Sequence, residues 1–277
     1  MDAPTIEQFG PLPTALLARA RWERLAGGRI PALIVHPGFT AETARGAEAA
    51  SVNAVPLVLW MHGRTVQKEI DPGRFLRWMR AGIGVCAVDL PGHGERFEAE
   101  LQQPERTFDV VLQMIGEIDA IVAEMVGRPE FDGDRVAIGG MSAGGMSALA
   151  RLCAPHPFVC ASVEATTGSW NFQRTRRMFR DRDDDEISMH DPIANLAGWR
   201  QIPVQAFHSR RDEWVAFDGQ RAFIEALRER YTDDGIIDFV VYEETGAPYE
   251  HAGFGRLAAD AKDRQRTFLH RWLVGSD

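Results

Sequence analysis

The sequence predicts an α/β protein, with a mostly parallel, twisted sheet and helices on both faces. Two observations carry that expectation. Apolar runs of strand length alternate with stretches of helical spacing, and the runs are apolar at successive positions, as in strands covered on both sides. A third observation sets the domain organisation: across 277 residues there is no internal repeat and no break in composition, so one domain is expected over 1–277.

The elements follow in order. Arg21 to Leu25 and Ile30 to Val35 flank Gly27-Gly28 and read as a β-hairpin. After an Ala/Glu/Gly-rich connector from about Thr40 to Asn53, Pro56 to Met61 is an unbroken apolar run, the mark of a central strand. Pro72 to Arg80 reads as a helix with proline in its first turn. Gly84 to Val88 is a strand ending at Asp89. Phe108, Val111, Ile115, Ile118, Val122 and Met125 then keep the spacing of one amphipathic helix. Arg135 to Ile138, Phe158 to Val163, Pro203 to Phe207 and Ile236 to Tyr242 read as strands. Gly144 to Leu152, Phe217 to Arg228 and Leu257 to Leu273 read as helices. Residues 168–200 interrupt the alternation with aromatics, five arginines between Arg174 and Arg182 and the acidic run Asp183 to Glu186. So long a connection is expected to be a lid-like insertion, the plainer alternative being a solvated excursion whose charges pair locally.

Composition narrows the function. The net charge of −9 repels phosphate backbones, so no nucleic-acid partner is expected. Cys86, Cys153 and Cys160 are odd in number and scattered through apolar stretches, which reads as buried free thiols. Met1 to Gly10 has no apolar core of a leader, and no apolar run reaches membrane-spanning length, so a cytoplasmic protein with no membrane partner is expected.

The chemistry is concentrated in Gly140-Met141-Ser142-Ala143-Gly144, a G-x-S-x-G pattern between a predicted strand and a predicted helix. A serine on such a turn projects its hydroxyl above the sheet edge, and the N–H of Ala143 can point at a developing oxyanion. A phosphate loop would need Lys-Ser/Thr where Gly145-Met146 stands, and no G-x-G-x-x-G follows a first strand. The serine needs an imidazole held by a carboxylate. Asp212 follows the strand ending at Phe207, and His251 follows the strand ending at Tyr242. In a parallel sheet these loops leave the same edge as Ser142, in the order serine, acid, histidine. Glu213 and Asp218 are alternative acids. The second oxyanion donor is expected from the loop His62-Gly63-Arg64, through the backbone N–H of Arg64, with His62 bonded to the loop backbone. His62, Asp89 and His93 form no recognised metal pattern, so neither metal nor other cofactor is expected. Trp170, Phe172, Phe179, Trp214 and Phe254 are the candidate pocket walls.

With these pieces in hand, the chain resembles the α/β-hydrolases, and within them the small bacterial carboxylesterases related to dienelactone hydrolases and to the catalytic domain of prolyl oligopeptidases. The pieces are His62-Gly63, Asp89-Leu-Pro-Gly-His-Gly-Glu-Arg96, Gly140 to Gly144, Asp212 with Val215, and His251. The resemblance implies an α/β-hydrolase fold and a serine carboxylesterase acting on short-chain esters, small-molecule substrates being its partners. It implies Ser142 as nucleophile, His251 as base, Asp212 as orienting acid, and the N–H groups of Arg64 and Ala143 as oxyanion donors. A thioesterase, a peptidase and a catalytically silent binding protein of the same fold are the alternatives. Two departures stand out. His-Gly-Arg replaces the frequent His-Gly-Gly, which disfavours large esters, and Ser209 replaces the glycine that usually precedes the acid's loop, which is expected to loosen Asp212.

Overall fold

The computed structural model describes residues 12–40, 42 and 52–275. Met1 to Gly10 and most of the Thr40–Asn53 connector lie outside the described residues. The eight strands are β1 (Ala20–Leu25), β2 (Ile30–Val35), β3 (Val55–Met61), β4 (Gly84–Val88), β5 (Phe131–Met141), β6 (Cys160–Glu164), β7 (Val204–Ser209) and β8 (Ile237–Tyr242). They form one sheet in the order β1-β2-β4-β3-β5-β6-β7-β8. The β1–β2 and β2–β4 pairs are antiparallel and every later pair is parallel, so the hairpin caps one edge of a parallel sheet.

Period-2 geometry sends successive side chains to opposite faces, which explains why β3 is apolar throughout. Leu57, Leu59 and Met61 enter the larger core with α3 (Thr107–Val126), α4 (Ala143–Arg151) and α6 (Phe217–Arg230), whereas Val58 and Trp60 meet α2 (Pro72–Arg80) and α7 (Ala258–Leu273) on the other face. The short α1 (Thr14–Leu17) adds Leu16 to that second layer. Helix α2 begins as its sequence dictates, with Pro72 in the first turn and the Asp71 carboxylate accepting from the N–H of Arg74.

The strand expected from Arg135 to Ile138 extends to Met141. Gly139 and Gly140 read as loop from sequence, yet they are strand residues whose missing side chains admit neighbours. A Cβ on Gly139 would overlap the carbonyl of Ser162 and lie 2.8 Å from the Trp60 ring.

Residues 170–198 form short 3-10 turns and α5 (Asp184–His190). This insertion is packed down, with Trp170, Phe179, Ile187 and Leu196 entering the larger core and the rings of Trp170 and Phe179 against Phe108. Its charges pair both locally, Arg174 with Asp184 and Arg182 with Glu186, and outward, Arg182 with Asp109 and Arg177 with Glu105. Among the described residues, no helix is long and apolar enough to cross a membrane.

Because Trp170 is fully buried, Trp170→Ala is expected to lower the unfolding free energy by about 3–5 kcal/mol. Phe172→Ala, at a ring that is half exposed, is expected to cost under about 0.5 kcal/mol. Urea titration followed by circular dichroism measures both.

Candidate active site

Ser142 stands between β5 and α4 with φ 52° and ψ −118°, a conformation an L-residue adopts only under constraint. The constraint is close packing. A Cβ on Gly140 would lie 2.7 Å from the Met61 carbonyl oxygen, and one on Gly144 2.5 Å from that of His62. The N–H of Ser142 donates to the Glu164 carbonyl at 2.9 Å, and the Thr166 hydroxyl donates to the Ser142 carbonyl at 2.8 Å. The side chain is half-buried, and its hydroxyl makes no hydrogen bond among the described residues. Ala143 opens α4, so its N–H has no partner within the helix.

Asp212 and His251 meet. His251 Nδ1 lies 2.8 Å from Asp212 Oδ2, and Asp212 Oδ1 accepts from the N–H groups of Trp214 and Val215, each at 2.8 Å. Each carboxylate oxygen is thus engaged, and the imidazole is left with Nε2 as its free nitrogen. The two loops are joined at further points, including the exposed pairs Arg210 with Glu243 and Arg211 with Glu244. The N–H of Glu213 donates to the Tyr249 carbonyl at 3.1 Å, and the Ser209 hydroxyl donates to Glu250 Oε2 at 2.7 Å. Ser209 therefore ties the acid's loop to the histidine's loop, where sequence reasoning expected loosening. Glu250 also accepts from the N–H and hydroxyl of Thr245 and the N–H of Gly246. Desolvation pushes its carboxyl upward, but the hydrogen bonds from Ser209, Thr245 and Gly246 outweigh it and hold the pKa at about 2.

On the other side of Ser142 runs the His62-Gly63-Arg64 loop. A Cβ on Gly63 would lie 3.4 Å from that of Ser142, which puts this loop against the serine. His62 Nε2 accepts from the N–H of Leu90 at 3.0 Å, so its proton sits on Nδ1, 2.5 Å from the Gly63 carbonyl. The N–H of Arg64 makes no hydrogen bond among the described residues. Behind the loop, the buried Lys68 ammonium donates to Asp89 at 2.9 Å and to Glu95 at 2.6 Å. Burial opposes the charge on Asp89, yet the ammonium and the backbone N–H of Lys68, both donating to it, hold its carboxyl well below the usual range.

The aromatic candidates divide. Trp170 and Phe179 are core residues against Phe108, and Phe254 packs with Phe207 and Tyr242; none of the three walls an open pocket, because each ring is enclosed on all sides. Phe172 and Trp214 are exposed, and the Trp214 ring lies 5.0 Å from the His251 ring. Two residues escaped sequence reasoning. Tyr249 stacks on Trp214 at 4.8 Å, its φ of 55° being invisible in the sequence. His208, fully buried, directs Nε2 to the Val215 carbonyl at 2.9 Å and stands 3.6 Å from Asp212; burial lowers its pKa, so it supports the acid's loop as a neutral ring. A cavity lined by His36, Gly38, Val52 and Val55 lies at the opposite rim, by the start of β3. Among the described residues, no group of three or more His, Cys, Asp or Glu side chains is placed to hold a metal ion.

Residues 57–275 match the family described as the alpha/beta hydrolase family. The chain belongs to that family. This alpha/beta hydrolase is 25% identical over 193 residues to Esterase YjfP of Escherichia coli, covering 65% of this chain and 77% of that protein. It is 26% identical over 202 residues to the putative esterase YitV of Bacillus subtilis, with the same coverage of both chains. Among solved structures, TT1662 from Thermus thermophilus superposes with a TM-score of 0.69 at 22% identity, over 93% of the hydrolase and 100% of that chain. A puromycin-hydrolyzing peptidase of Mycobacterium tuberculosis superposes with a TM-score of 0.72 at 20% identity; 97% of the hydrolase is covered, but only 42% of that longer chain. Likenesses at these identities show the fold alone.

The bonds to Glu250 make a pH prediction. A carboxyl held at about 2 when folded, against 4.5 unperturbed, contributes stability that is complete above about pH 4.5 and lost as the pH falls through 2. The stability gap between the wild type and Glu250→Gln is therefore expected to be constant from pH 8 to about 5 and to shrink below that. Denaturant titrations across the pH series test this.

Proposed function

We propose that this hydrolase is a serine carboxylesterase that cleaves short-chain carboxylic esters through an acyl-enzyme on Ser142. The observation that carries the reading is the Asp212–His251 pair, held at 2.8 Å on loops that leave the same sheet edge as the strained Ser142 turn. The esterase names of YjfP and YitV support it.

In this reaction Ser142 Oγ attacks the ester carbonyl carbon as its proton passes to His251 Nε2. Asp212 fixes the imidazole through Nδ1 and stabilises the imidazolium. Negative charge gathers on the carbonyl oxygen, which the N–H groups of Arg64 and Ala143 receive; a single such donor is worth about 3–4 kcal/mol in the transition state. The C–O bond to the alcohol breaks, and the alcohol leaves with the proton from His251. Water then attacks the acyl carbon with His251 again as base, and Ser142 regains its proton as the acid departs.

Ser142→Ala is expected to lower kcat by about 10^4-fold or more on p-nitrophenyl acetate and butyrate. A fluorophosphonate probe is expected to label the wild type at Ser142 and leave the variant unlabelled. Retained turnover in the variant, or no labelling of the wild type, would overturn the assignment, the latter in favour of a silent binding protein. A series from acetate to palmitate, with a matched thioester and anilide beside it, separates esterase from thioesterase and peptidase. The rate is expected to be highest on the short oxygen esters.

A further inference from the structure

Two large aromatic side chains stand in water beside the imidazole of the site. Trp214 and Tyr249 are 45% and 54% exposed, whereas His251 is 3% exposed. The Trp214 ring lies 5.0 Å from the His251 ring, and Tyr249 stacks on Trp214 at 4.8 Å with 26° between the ring planes. The Asp212–His251 pair does not call for either ring. Asp212 accepts from the backbone N–H of Trp214, which any residue but proline supplies.

The placement of the two rings is nevertheless closely specified. The N–H of Trp214 donates to Asp212 Oδ1 at 2.8 Å, and its carbonyl accepts from the Gln173 amide at 3.3 Å. At Glu213 the N–H donates to the Tyr249 carbonyl, and the carbonyl accepts from Arg176 Nη2. Tyr249 and Glu250 hold φ of 55° and 50°, a conformation that side chains of their kind keep only where the surroundings impose it. A flat apolar surface fixed in advance loses little freedom when a ligand settles on it.

The chemistry says which half of an ester meets these rings. His251 Nε2 hands its proton to the departing alcohol oxygen, which comes within about 3 Å of it. Nε2 belongs to the ring that Trp214 lies beside, so a group one carbon beyond that oxygen is within reach of the indole. The carbonyl oxygen is drawn elsewhere, to the N–H groups of Arg64 and Ala143.

We propose that Trp214 and Tyr249 form a subsite for the alcohol half of the ester and that it takes a planar aromatic group, so that the substrates are short-chain esters of aromatic alcohols. The proposal rests on the esterase reading above and narrows its substrate class. Paired aromatic rings attract beyond the apolar area they bury, a gain that a saturated ring of the same size does not share.

The test compares benzyl acetate with cyclohexylmethyl acetate, which differ in the planarity of the leaving alcohol and give the same acetyl-enzyme. The wild type is expected to favour benzyl acetate in kcat/KM by about three- to tenfold. Trp214→Leu is expected to bring that ratio near one, and Trp214→Phe to keep part of it. Methyl phenylacetate and methyl cyclohexylacetate carry the same rings on the acyl half, and their ratio is expected to be equal in the wild type and Trp214→Leu. As a readout apart from turnover, saturation-transfer NMR is expected to show the ring protons of benzyl acetate in contact with Ser142→Ala but not with Ser142→Ala carrying Trp214→Leu. A wild type without preference for benzyl acetate overturns the proposal. So does a Trp214→Leu variant that slows both acetates alike, since an indole that merely covers His251 would act on both. If no ester is cleaved while Ser142→Ala still holds the benzyl ring through Trp214, the esterase reading fails and the aromatic subsite stands.

Discussion

The turn from β5 into α4 passes so close beneath the end of β3 that neither Gly140 nor Gly144 has room for a side chain. This contact fixes three things at once. It drives Ser142 into its left-handed conformation, it turns the first N–H groups of α4 upward, and it brings the His62-Gly63-Arg64 loop against the serine. Such strain persists only where the surroundings over-determine it. Here the surroundings are the carbonyls of Met61 and His62 on one side and the hydrogen bonds to Glu164 and Thr166 on the other.

Buried ions stand behind both flanks of that turn. Arg74 is fully enclosed, bonds Glu164 at 2.7 Å and lies over the Trp60 ring, next to the strand end that receives the Ser142 N–H. Lys68, Asp89 and Glu95 hold the opposite flank. Such pairs add little net stability, but losing one partner strands a buried charge at a cost of about 3–5 kcal/mol, so they specify one arrangement of the turn.

Much of this was legible in the sequence because the governing signals are local. Unbroken apolar runs gave β3 and β4, and helical spacing gave α3. The order of Ser142, Asp212 and His251 pointed to strand ends on one sheet edge. What escaped depends on contacts between distant segments. Gly139 reads as a loop residue until Trp60 and Ser162 are seen to occupy the space of its side chain. Trp170 and Phe179 read equally as pocket or core until Phe108, some sixty residues earlier, closes over them. Ser209 reads as a flaw in a glycine position until Glu250 receives its hydroxyl. No periodicity or spacing carries such information, since it exists only once the chain has returned on itself.

The acid's loop and the histidine's loop share several bonds, among them Asp212 to His251, Glu213 to Tyr249, Ser209 to Glu250, Arg210 to Glu243 and Arg211 to Glu244. Stapled in this way they form one unit, while the Ser142 hydroxyl makes no hydrogen bond to it among the described residues. The soft coordinate of the site is the gap between them. Thermal motion that would ordinarily scramble three partners is reduced to the opening and closing of one joint.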